Sequence, residues 1–495
     1  MITSYANVCR NRYPGAMSDT ESYLYRYSWD KDDLLTYPWK ERYVKQPEVL
    51  AYLHHVVAKY DLRQYMRFNT EFTSMVFDES TNRWTVECKN GEVYTAKYVV
   101  TAVGLLSQKN YPKIPGLFSF QGEMYHSASF TEDVDFKGKR VGVIGCGSTG
   151  VQIITAIAKQ NSMKELLCFQ RNPQWSVPSG DGPISQDHRQ DVNKRYDEIY
   201  DRVWSSTFAF GVNESEMKTT EVTPEQRENI YEAAWQRGNG FGFMYSTFTD
   251  ITWDEKANKT TCDFLSSKIK SIVHDPEKAR KLTPREMYAR RPLCDSGYYA
   301  QFNRPNVDVI DIKTTPIVEI TADGIKTSDG SFYALDMLIF ATGFDAVEGS
   351  YNCRTITGRE GRTLKDYWSE KTTSLYGVSV PHFPNLFMII GPNSPATNNI
   401  PIIDTQVDFI SNAISKAEDD KAATIEATNE AEDEWTRICN EACEGSLFKK
   451  TGTWFFGGNI PGKPRCTRFF FPGMKEYRRN LDLCVSGGYK GFHPF

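Results

Sequence analysis

The sequence predicts an α/β protein with two dinucleotide-binding, Rossmann-like domains and a helical insertion. Three observations indicate this fold class. A strand, a glycine-rich turn and a helix pattern follow one another at 141–157, a strand meander occurs twice, and a charged, helix-rich stretch spans 186–290. A chain of 495 residues is long enough to hold more than one domain.

The glycine-rich turn follows a short apolar strand, where V-G-V-I precedes G-C-G-S-T-G. Glycines at 145 and 147 permit a tight turn and let backbone N–H groups approach a pyrophosphate, which then lies at the positive end of the following helix. The motif alone is weakly specific because glycine-rich loops are common. Its candidate cofactor-binding residues are Gly145, Cys146, Gly147, Ser148, Thr149, Gly150 and Gln152.

The strand that follows this helix ends in a cation. In a dinucleotide fold, an acidic residue about 20 residues past the glycine turn selects NAD through the ribose 2′-hydroxyl. Here the strand 166–170 leads instead into Arg171 and Asn172. A guanidinium group binds a 2′-phosphate bidentately, so this position favours NADP, with an exposed surface arginine as the ordinary alternative.

The repeated meander consists of a hairpin followed by an apolar strand that closes on glycine. In the first copy, the strand 83–88 leads to Asn90-Gly91, a pair that predicts a type I′ turn. The second copy spans 317–343 and has the same order of elements. Each copy is expected to belong to its own nucleotide domain.

The segment 186–290 reads as an insertion of helices. Thr223-Pro-Glu-Gln226 is a capping box with proline at the first helical position, and Asp275-Pro276 predicts the start of another helix.

Composition argues against several classes of function. Lys and Arg number 58 against 63 Asp and Glu, and no basic block is long enough to predict nucleic-acid binding. Apolar runs are too short to predict a membrane span. The eleven cysteines lack paired spacing and the seven histidines lack metal-ligand spacing. We therefore expect no metal site, and reduced thiols in a cytoplasmic setting.

A second motif makes the glycine-rich turn more specific. Phe120, Gly122 and His126 form F-x-G-x-x-x-H ahead of it. The combination resembles the Baeyer–Villiger monooxygenases, flavoenzymes that use NADPH and O2 to insert an oxygen atom beside a ketone carbonyl. The resemblance covers nearly the whole chain from Asn11 onward, and the stretch 288–304 is most similar to the cyclohexanone monooxygenase branch.

The resemblance implies FAD and NADPH as cofactors, a ketone and O2 as substrates, and an ester or lactone as product. It places the catalytic arginine on Arg291, its paired carboxylate on Asp19, and a cation for the NADP 2′-phosphate on Arg290. A fixed cation stabilises negative charge that develops on oxygen. Without the resemblance, an Arg-Arg pair would be assigned to a solvated surface. The other implied cofactor-binding residues are Asn11, Arg12, Tyr13, Asp19 and Tyr25 near the flavin, and Trp454 over the nicotinamide end of NADP.

The chain accordingly divides into five segments. They are 1–136 (N-terminal part of the FAD domain), 137–185 (first part of the NADP domain), 186–290 (helical insertion), 291–345 (second part of the NADP domain) and 346–495 (C-terminal part of the FAD domain). No glycine-rich turn lies between Met1 and Arg83, and a βαβ unit needs about 30 residues. The first FAD βαβ unit is therefore predicted to be missing, either because the start site is placed too late or because the unit has been lost.

Two other functions stay open. A flavin monooxygenase that oxidises soft nitrogen or sulfur uses the same two folds, although the R-P-L-C-D context of Arg291 favours ketone oxidation. A truncated chain could instead be a non-catalytic remnant that binds only NADP, because loss of the first βαβ unit removes a pyrophosphate site and part of a core together.

Overall fold

The computed structural model of the protein describes residues 10–131 and 133–493. Its strands, numbered in chain order, are β1 (Phe72–Asp78), β2 (Arg83–Cys88), β3 (Val93–Ala96), β4 (Val99–Thr101), β5 (Glu123–His126), β6 (Arg140–Ile144), β7 (Glu165–Gln170), β8 (Ser176–Pro178), β9 (Leu293–Asp295), β10 (Val307–Asp311), β11 (Ile317–Thr321), β12 (Gly324–Thr327), β13 (Phe332–Ala334), β14 (Met337–Phe340), β15 (Thr355–Thr357), β16 (Leu386–Met388), β17 (Ser394–Pro395), β18 (Glu426–Ala427), β19 (Phe469–Phe470) and β20 (Phe492–His493).

The helices are α1 (Lys31–Thr36), α2 (Gln46–Lys59), α3 (Ser148–Gln160), α4 (Gln186–Lys194), α5 (Tyr196–Ser205), α6 (Pro224–Arg237), α7 (Gly240–Ser246), α8 (Glu255–Ile272), α9 (Pro276–Leu282), α10 (Tyr298–Gln301), α11 (Gly349–Asn352), α12 (Leu364–Tyr367), α13 (Asn399–Asp419), α14 (Asn429–Ala442) and α15 (Met474–Ser486). None of these helices combines the length and apolarity that crossing a lipid bilayer requires.

A five-stranded parallel sheet carries the glycine-rich turn. Its strand order is β10–β7–β6–β14–β5, and every neighbouring pair is parallel. One face packs on α3, where Val143 and Ile157 share a core, and the other packs on the second meander, where Phe169 and Ile325 share another. Burial on both faces explains why β6 and β14 read as continuous apolar runs.

The edge strand β5 corrects a predicted boundary. β5 pairs in parallel with β14, so it belongs to the sheet of the glycine-rich turn, although the sequence assigned 1–136 to the other domain. The boundary at residue 136 is wrong for this strand. The reason is local, because the four residues E-M-Y-H mix polar and apolar side chains and give no signal of the sheet they join.

The first meander, β1–β2–β3, forms a four-stranded sheet with β15 at one edge. Its hairpin corrects a second prediction. A type I′ turn needs positive φ at both central residues, but of Asn90 and Gly91 only Gly91 has one, +85°. The Gly91 N–H donates to the Cys88 carbonyl at 2.9 Å, so the connection is a longer loop that uses glycine at its single left-handed position.

β4 and β16 form a separate two-stranded parallel sheet. They come from the segments 1–136 and 346–495, which the sequence assigned to the two parts of one domain. The predicted loss of the first FAD βαβ unit concerns the chain ahead of Arg10, which lies outside the described residues.

The helix-rich character predicted for 186–290 is confirmed, since α4 to α9 lie there. α6 begins with the capping box of Thr223 and Gln226, and α9 begins after Asp275, whose side chain accepts from two backbone N–H groups.

Candidate active site

A cavity of about 710 Å³ lies where the N-terminal segment, the helical insertion and the C-terminal segment meet. Asp19, Tyr25, Arg291 and Trp454 all line it, and much of the remaining wall is aromatic. A wall of this kind lowers the effective dielectric constant, so a charge in it acts more strongly than one in water.

Arg291 and Asp19 form an ion pair in the cavity wall. The Nη2 atom of Arg291 lies 2.5 Å from Oδ2 of Asp19, and the two side chains are 31% and 14% exposed. The guanidinium carbon also lies 5.4 Å from the centre of the Phe241 ring, within the range of a cation–π contact. Burial on its own lowers the pKa of Arg291, but the Asp19 carboxylate outweighs it and raises the pKa above its ordinary value. The cavity therefore contains a permanent cation with a fixed orientation.

The loop that carries Asp19 rests on α3. The hydroxyl of Tyr13 donates to Oε1 of Gln152 at 2.9 Å, and Nε2 of Gln152 donates to the Met17 carbonyl at 3.1 Å. Gly15 has φ +78°, and a Cβ there would lie 2.8 Å from the Gln152 carbonyl, so only glycine permits this close approach. Both ends of the Gln152 amide are used in this contact between the loop and the helix.

Both predicted flavin-side tyrosines are half-buried. Burial raises the pKa of Tyr13 to about 12 and also raises the pKa of Tyr25, so both hydroxyls stay protonated as donors. Tyr25 lines the cavity, whereas Asn11, Arg12 and Tyr13 lie outside its lining.

The glycine-rich turn forms a cradle at the start of α3. Gly145 has φ +110°, and a Cβ there would lie 2.4 Å from the Ala341 carbonyl oxygen. A Cβ at Gly150 would lie 2.2 Å from the Gly145 carbonyl oxygen, but at Gly147 nothing lies within 4 Å. Two glycines thus permit backbone packing, and the third leaves open space beside Ser148 and Thr149 in the first turn of α3. This space fits a pyrophosphate bound by N-terminal N–H groups.

Two arginines bring positive charge to this turn. Burial raises the pKa of the Cys146 thiol to about 12, and the nearby charges of Arg290 and Arg171 partly oppose that shift. The Cys146 thiol donates to the Asn172 carbonyl at 3.2 Å. Arg290 is ion-paired with Glu286. The two cations suit a ligand that carries a further phosphate beside the pyrophosphate.

Trp454 stands at the start of a short 3-10 turn, Trp454–Phe456. Its ring lies 4.6 Å from that of Phe455 and 5.3 Å from that of Phe469, in edge-on contacts. These two rings support the indole where it borders the cavity.

Sequence reasoning missed the aromatic wall that the insertion contributes. Phe208 stacks on Tyr245 with ring centres 3.5 Å apart, and Phe210 stacks on Phe241 at 3.6 Å. All four line the cavity. The recurrence of aromatic residues in F-A-F at 208–210 and F-G-F-M-Y at 241–245 was the available signal, but it could equally have marked an ordinary core.

The chain is similar to characterised enzymes over almost all of its length. Residues 32–180 match the family described as flavin-binding monooxygenase-like. Cyclohexanone 1,2-monooxygenase of an Acinetobacter species is 47% identical over 97% of this chain and 88% of its own length. A Baeyer–Villiger monooxygenase of Pseudooceanicola batsensis is 46% identical over 97% of this chain and 88% of its own length. Phenazine N-monooxygenase of Lysobacter antibioticus is 44% identical over 97% and 89%.

Solved structures agree with these relatives. Cyclohexanone monooxygenase from Rhodococcus sp. Phi1 bound to NADP+ superposes with a TM-score of 0.97 at 48% identity, over 99% of this chain and 92% of that one. The OTEMO complex with FAD and NADP gives 0.93 at 34% identity, over 99% and 92%. The predicted α/β fold class is thereby confirmed.

Proposed function

This chain belongs to the Baeyer–Villiger monooxygenases, and from that premise we propose that it inserts one oxygen atom of O2 beside the carbonyl of a cyclic or aryl-alkyl ketone. The product is a lactone or an ester. FAD and NADPH are its cofactors. The observation that carries the proposal is the ion pair of Arg291 and Asp19 in the wall of an aromatic cavity.

The described residues fit NADP, and some of them border the place proposed for the flavin ring. The glycine cradle at 145–150 would hold the pyrophosphate of NADP, and Arg171 and Arg290 would bind its 2′-phosphate. Tyr25 and Trp454 would border the flavin and the nicotinamide in the cavity. When bound, FAD supplies the activation of O2 and NADPH supplies the hydride.

Arg291 would stabilise the negative charge that develops on the reacting oxygens. Its charge does not titrate at any working pH, and the Asp19 contact fixes its direction before the reaction begins. A preoriented charge of this kind costs no reorganisation in the transition state. The aromatic wall would keep water from the reacting atoms, which strengthens the same interaction.

Isotope incorporation tests the proposal. Purified protein is incubated with FAD, NADPH, ¹⁸O2 and either cyclohexanone or phenylacetone, and the products are analysed by mass spectrometry. We expect one ¹⁸O atom in the lactone or ester, and no product when NADPH is omitted. Absence of labelled product from a wider panel of cyclic and aryl-alkyl ketones would overturn the proposal.

N-oxidation of a planar aromatic heterocycle is a second candidate function. The phenazine N-monooxygenase is 44% identical over 97% of this chain, and the stacked rings of Phe208 and Tyr245 offer a flat wall for such a substrate. The same assay with phenazine decides between the two. Labelled N-oxide without any ketone product would favour N-oxidation.

We also propose that the protein works in the cytoplasm. Every cysteine in the described part of the chain is a free thiol, and thiols are kept reduced in that compartment.

A further inference from the structure

Four charged side chains form a closed cluster beside the Trp454 turn, and we call Asp345, Glu348, Lys463 and Arg468 the charged quartet. The Nζ atom of Lys463 lies 2.6 Å from Oδ1 of Asp345 and 3.1 Å from Oε1 of Glu348. The Nη2 atom of Arg468 lies 2.6 Å from the same Glu348 oxygen, and its Nε lies 3.0 Å from the other.

The quartet is formally neutral, and three of its four side chains are buried, whereas that of Asp345 is 34% exposed. The side chains of Lys463, Glu348 and Arg468 are 8%, 7% and 0% exposed. Burial on its own raises the pKa of Glu348, but Arg468 and Lys463 outweigh it and lower the pKa. Buried charges are tolerated when each has its partner, and removing one partner leaves an uncompensated charge. The quartet therefore favours one arrangement of the segments that carry it.

Those segments are the linker that follows β14 and the loop that follows Trp454. Asp345 and Glu348 lie in the linker, which leads from the five-stranded sheet to the C-terminal segment. Lys463 and Arg468 lie at the end of the stretch 454–468. Within this stretch the side-chain amide of Asn459 also donates to the Phe344 carbonyl of the linker, at 3.2 Å.

Backbone contacts extend the quartet to the cavity wall. The N–H of Val347 donates to the carbonyl of Leu105, a cavity-lining residue, at 3.0 Å. The carbonyl of Arg468 accepts from Asn393 N–H at 2.8 Å, next to β17. Phe469, which follows Arg468, supports the ring of Trp454. Linker, loop and cavity wall thus meet at the quartet.

We propose that Lys463 is a positioning residue, which fixes the stretch 454–468 on the linker and so holds Trp454 at the cavity. Arg468 directly precedes β19, which pairs with β17, whereas Lys463 lies in the loop and contacts both acidic residues of the linker. The expected effect on NADP binding rests on the proposed function, whereas the expected effect on the order of the stretch 454–468 does not.

Hydrogen exchange on the full-length protein without cofactors tests the loop directly. Lys463→Met keeps the length of the side chain but removes its charge. We expect amides of 454–463 to exchange at least about tenfold faster in this variant. Lys463→Arg should restore slow exchange because it keeps a cation beside both acids. Lys259→Met is the matched control, since Lys259 forms an exposed ion pair with Asp263 on α8, and should leave the loop unchanged.

NADP+ binding and turnover test the consequence at the cavity. We expect the Kd for NADP+ to rise about 5- to 150-fold in Lys463→Met. The KM for NADPH should rise with it more than kcat falls, and more H2O2 should form per product. If Lys463→Met does not fold, Asp345→Asn removes one contact of Lys463 and leaves Glu348 with both cations, so the same shifts are expected at smaller size.

Unchanged exchange in a folded Lys463→Met protein, or failure of Lys463→Arg to restore it, would overturn the inference. So would faster exchange without any change in NADP+ affinity. If wild-type protein oxidises no ketone, the proposed function fails, and the exchange comparison still decides whether Lys463 orders the loop.

Discussion

The guanidinium of Arg291 meets a carboxylate on one side and an aromatic ring on the other. Asp19 supplies the first contact and Phe241 the second, and together they restrict the rotation of a long side chain. The glycine cradle proposed for the nucleotide is a separate structure at the start of α3. Loss of the guanidinium should therefore remove the proposed charge stabilisation at the reacting atoms and leave the proposed NADPH site in place.

Replacing Arg291 by alanine should separate the two halves of the reaction. We expect flavin reduction by NADPH to stay measurable in anaerobic stopped-flow absorbance, while ester or lactone formation falls by about 10²- to 10³-fold or more. Arg291→Lys is the matched variant. Lysine keeps the charge but lacks the planar fork that pairs with Asp19. We therefore expect Arg291→Lys to form product at a rate between those of wild type and Arg291→Ala. Wild-type product formation by Arg291→Ala would contradict the catalytic role.

Glu432 is a buried acid outside the cavity. Its side chain lies on α14, accepts the Tyr367 hydroxyl at 2.5 Å and is 1% exposed as a residue. Burial raises the pKa of Glu432 to about 7. Below the unfolded value of 4.5 both states bind the proton. Between that value and about 7 the unfolded chain releases the proton while the folded chain keeps it, so stability falls as pH rises through this window.

Glu432→Gln should remove that loss, because the amide has the shape of the protonated acid but does not titrate. We expect the variant to be more stable than wild type above pH 7, by up to about 3 kcal/mol, and the difference to shrink towards pH 4.5. Thermal unfolding followed from pH 5 to pH 8 measures this. A difference that is the same at both ends of the range would show that Glu432 is not protonated in the folded protein.

At the scale of elements, the turn between β6 and α3 uses its glycines in two ways. Gly145 and Gly150 pack backbone against backbone, whereas the space beside Gly147 is open. Gly147 has φ −72°, which any residue adopts. A side chain at Gly147 should therefore be tolerated by the fold but should obstruct the ligand.

Gly147→Ala and Gly150→Ala form a matched pair. We expect Gly147→Ala to change the free energy of unfolding by no more than about 0.5 kcal/mol, yet to raise the Kd for NADP+ at least about tenfold by displacing the pyrophosphate. Gly150→Ala should destabilise the fold by about 1–3 kcal/mol through overpacking. Calorimetric unfolding and NADP+ titration measure both effects. Equal affinity of wild type and Gly147→Ala would place the pyrophosphate elsewhere.

The elements that could be predicted from sequence are those whose signals are local. The strand, turn and helix at 141–157 and the caps of α6 and α9 depend on neighbouring residues, and they form as predicted. The placement of β5 and the Asn90-Gly91 turn could not be predicted in the same way. A short strand without an apolar run joins a sheet through its partner, and a turn type depends on how the flanking strands pair.

On the scale of the whole molecule, the cavity exists only where distant segments meet. Asp19, Arg291 and Trp454 are far apart in sequence, and the insertion supplies the rings that close one side. The pairing of Asp19 with Arg291 was expected from family resemblance, not from any local pattern. The charged quartet and the contact of Gln152 with the Tyr13 loop were not expected at all, because single buried lysines or glutamines carry no sequence pattern that names their partners.

A ligand that fills this cavity should stabilise the whole fold. We expect purified protein to show the absorbance of bound flavin, and added FAD at about 100 times its Kd to stabilise any flavin-free fraction by about 2.7 kcal/mol. Visible spectra and thermal unfolding with and without FAD measure this. A colourless protein whose unfolding temperature responds to NADP+ but not to FAD would instead support a remnant that binds only NADP.

The amide of Gln152 joins the loop of Asp19 to the helix whose first turn is the proposed site of the nucleotide. A change of the preferred nicotinamide coenzyme would require substitutions in that turn and in the helix that follows it. Because the Gln152 side chain joins α3 to this loop, a displacement of α3 would also displace the Asp19 carboxylate, which pairs with the guanidinium of Arg291. Coenzyme preference and oxygenation efficiency are therefore not separate design variables in this scaffold, and screening for one should always include the other.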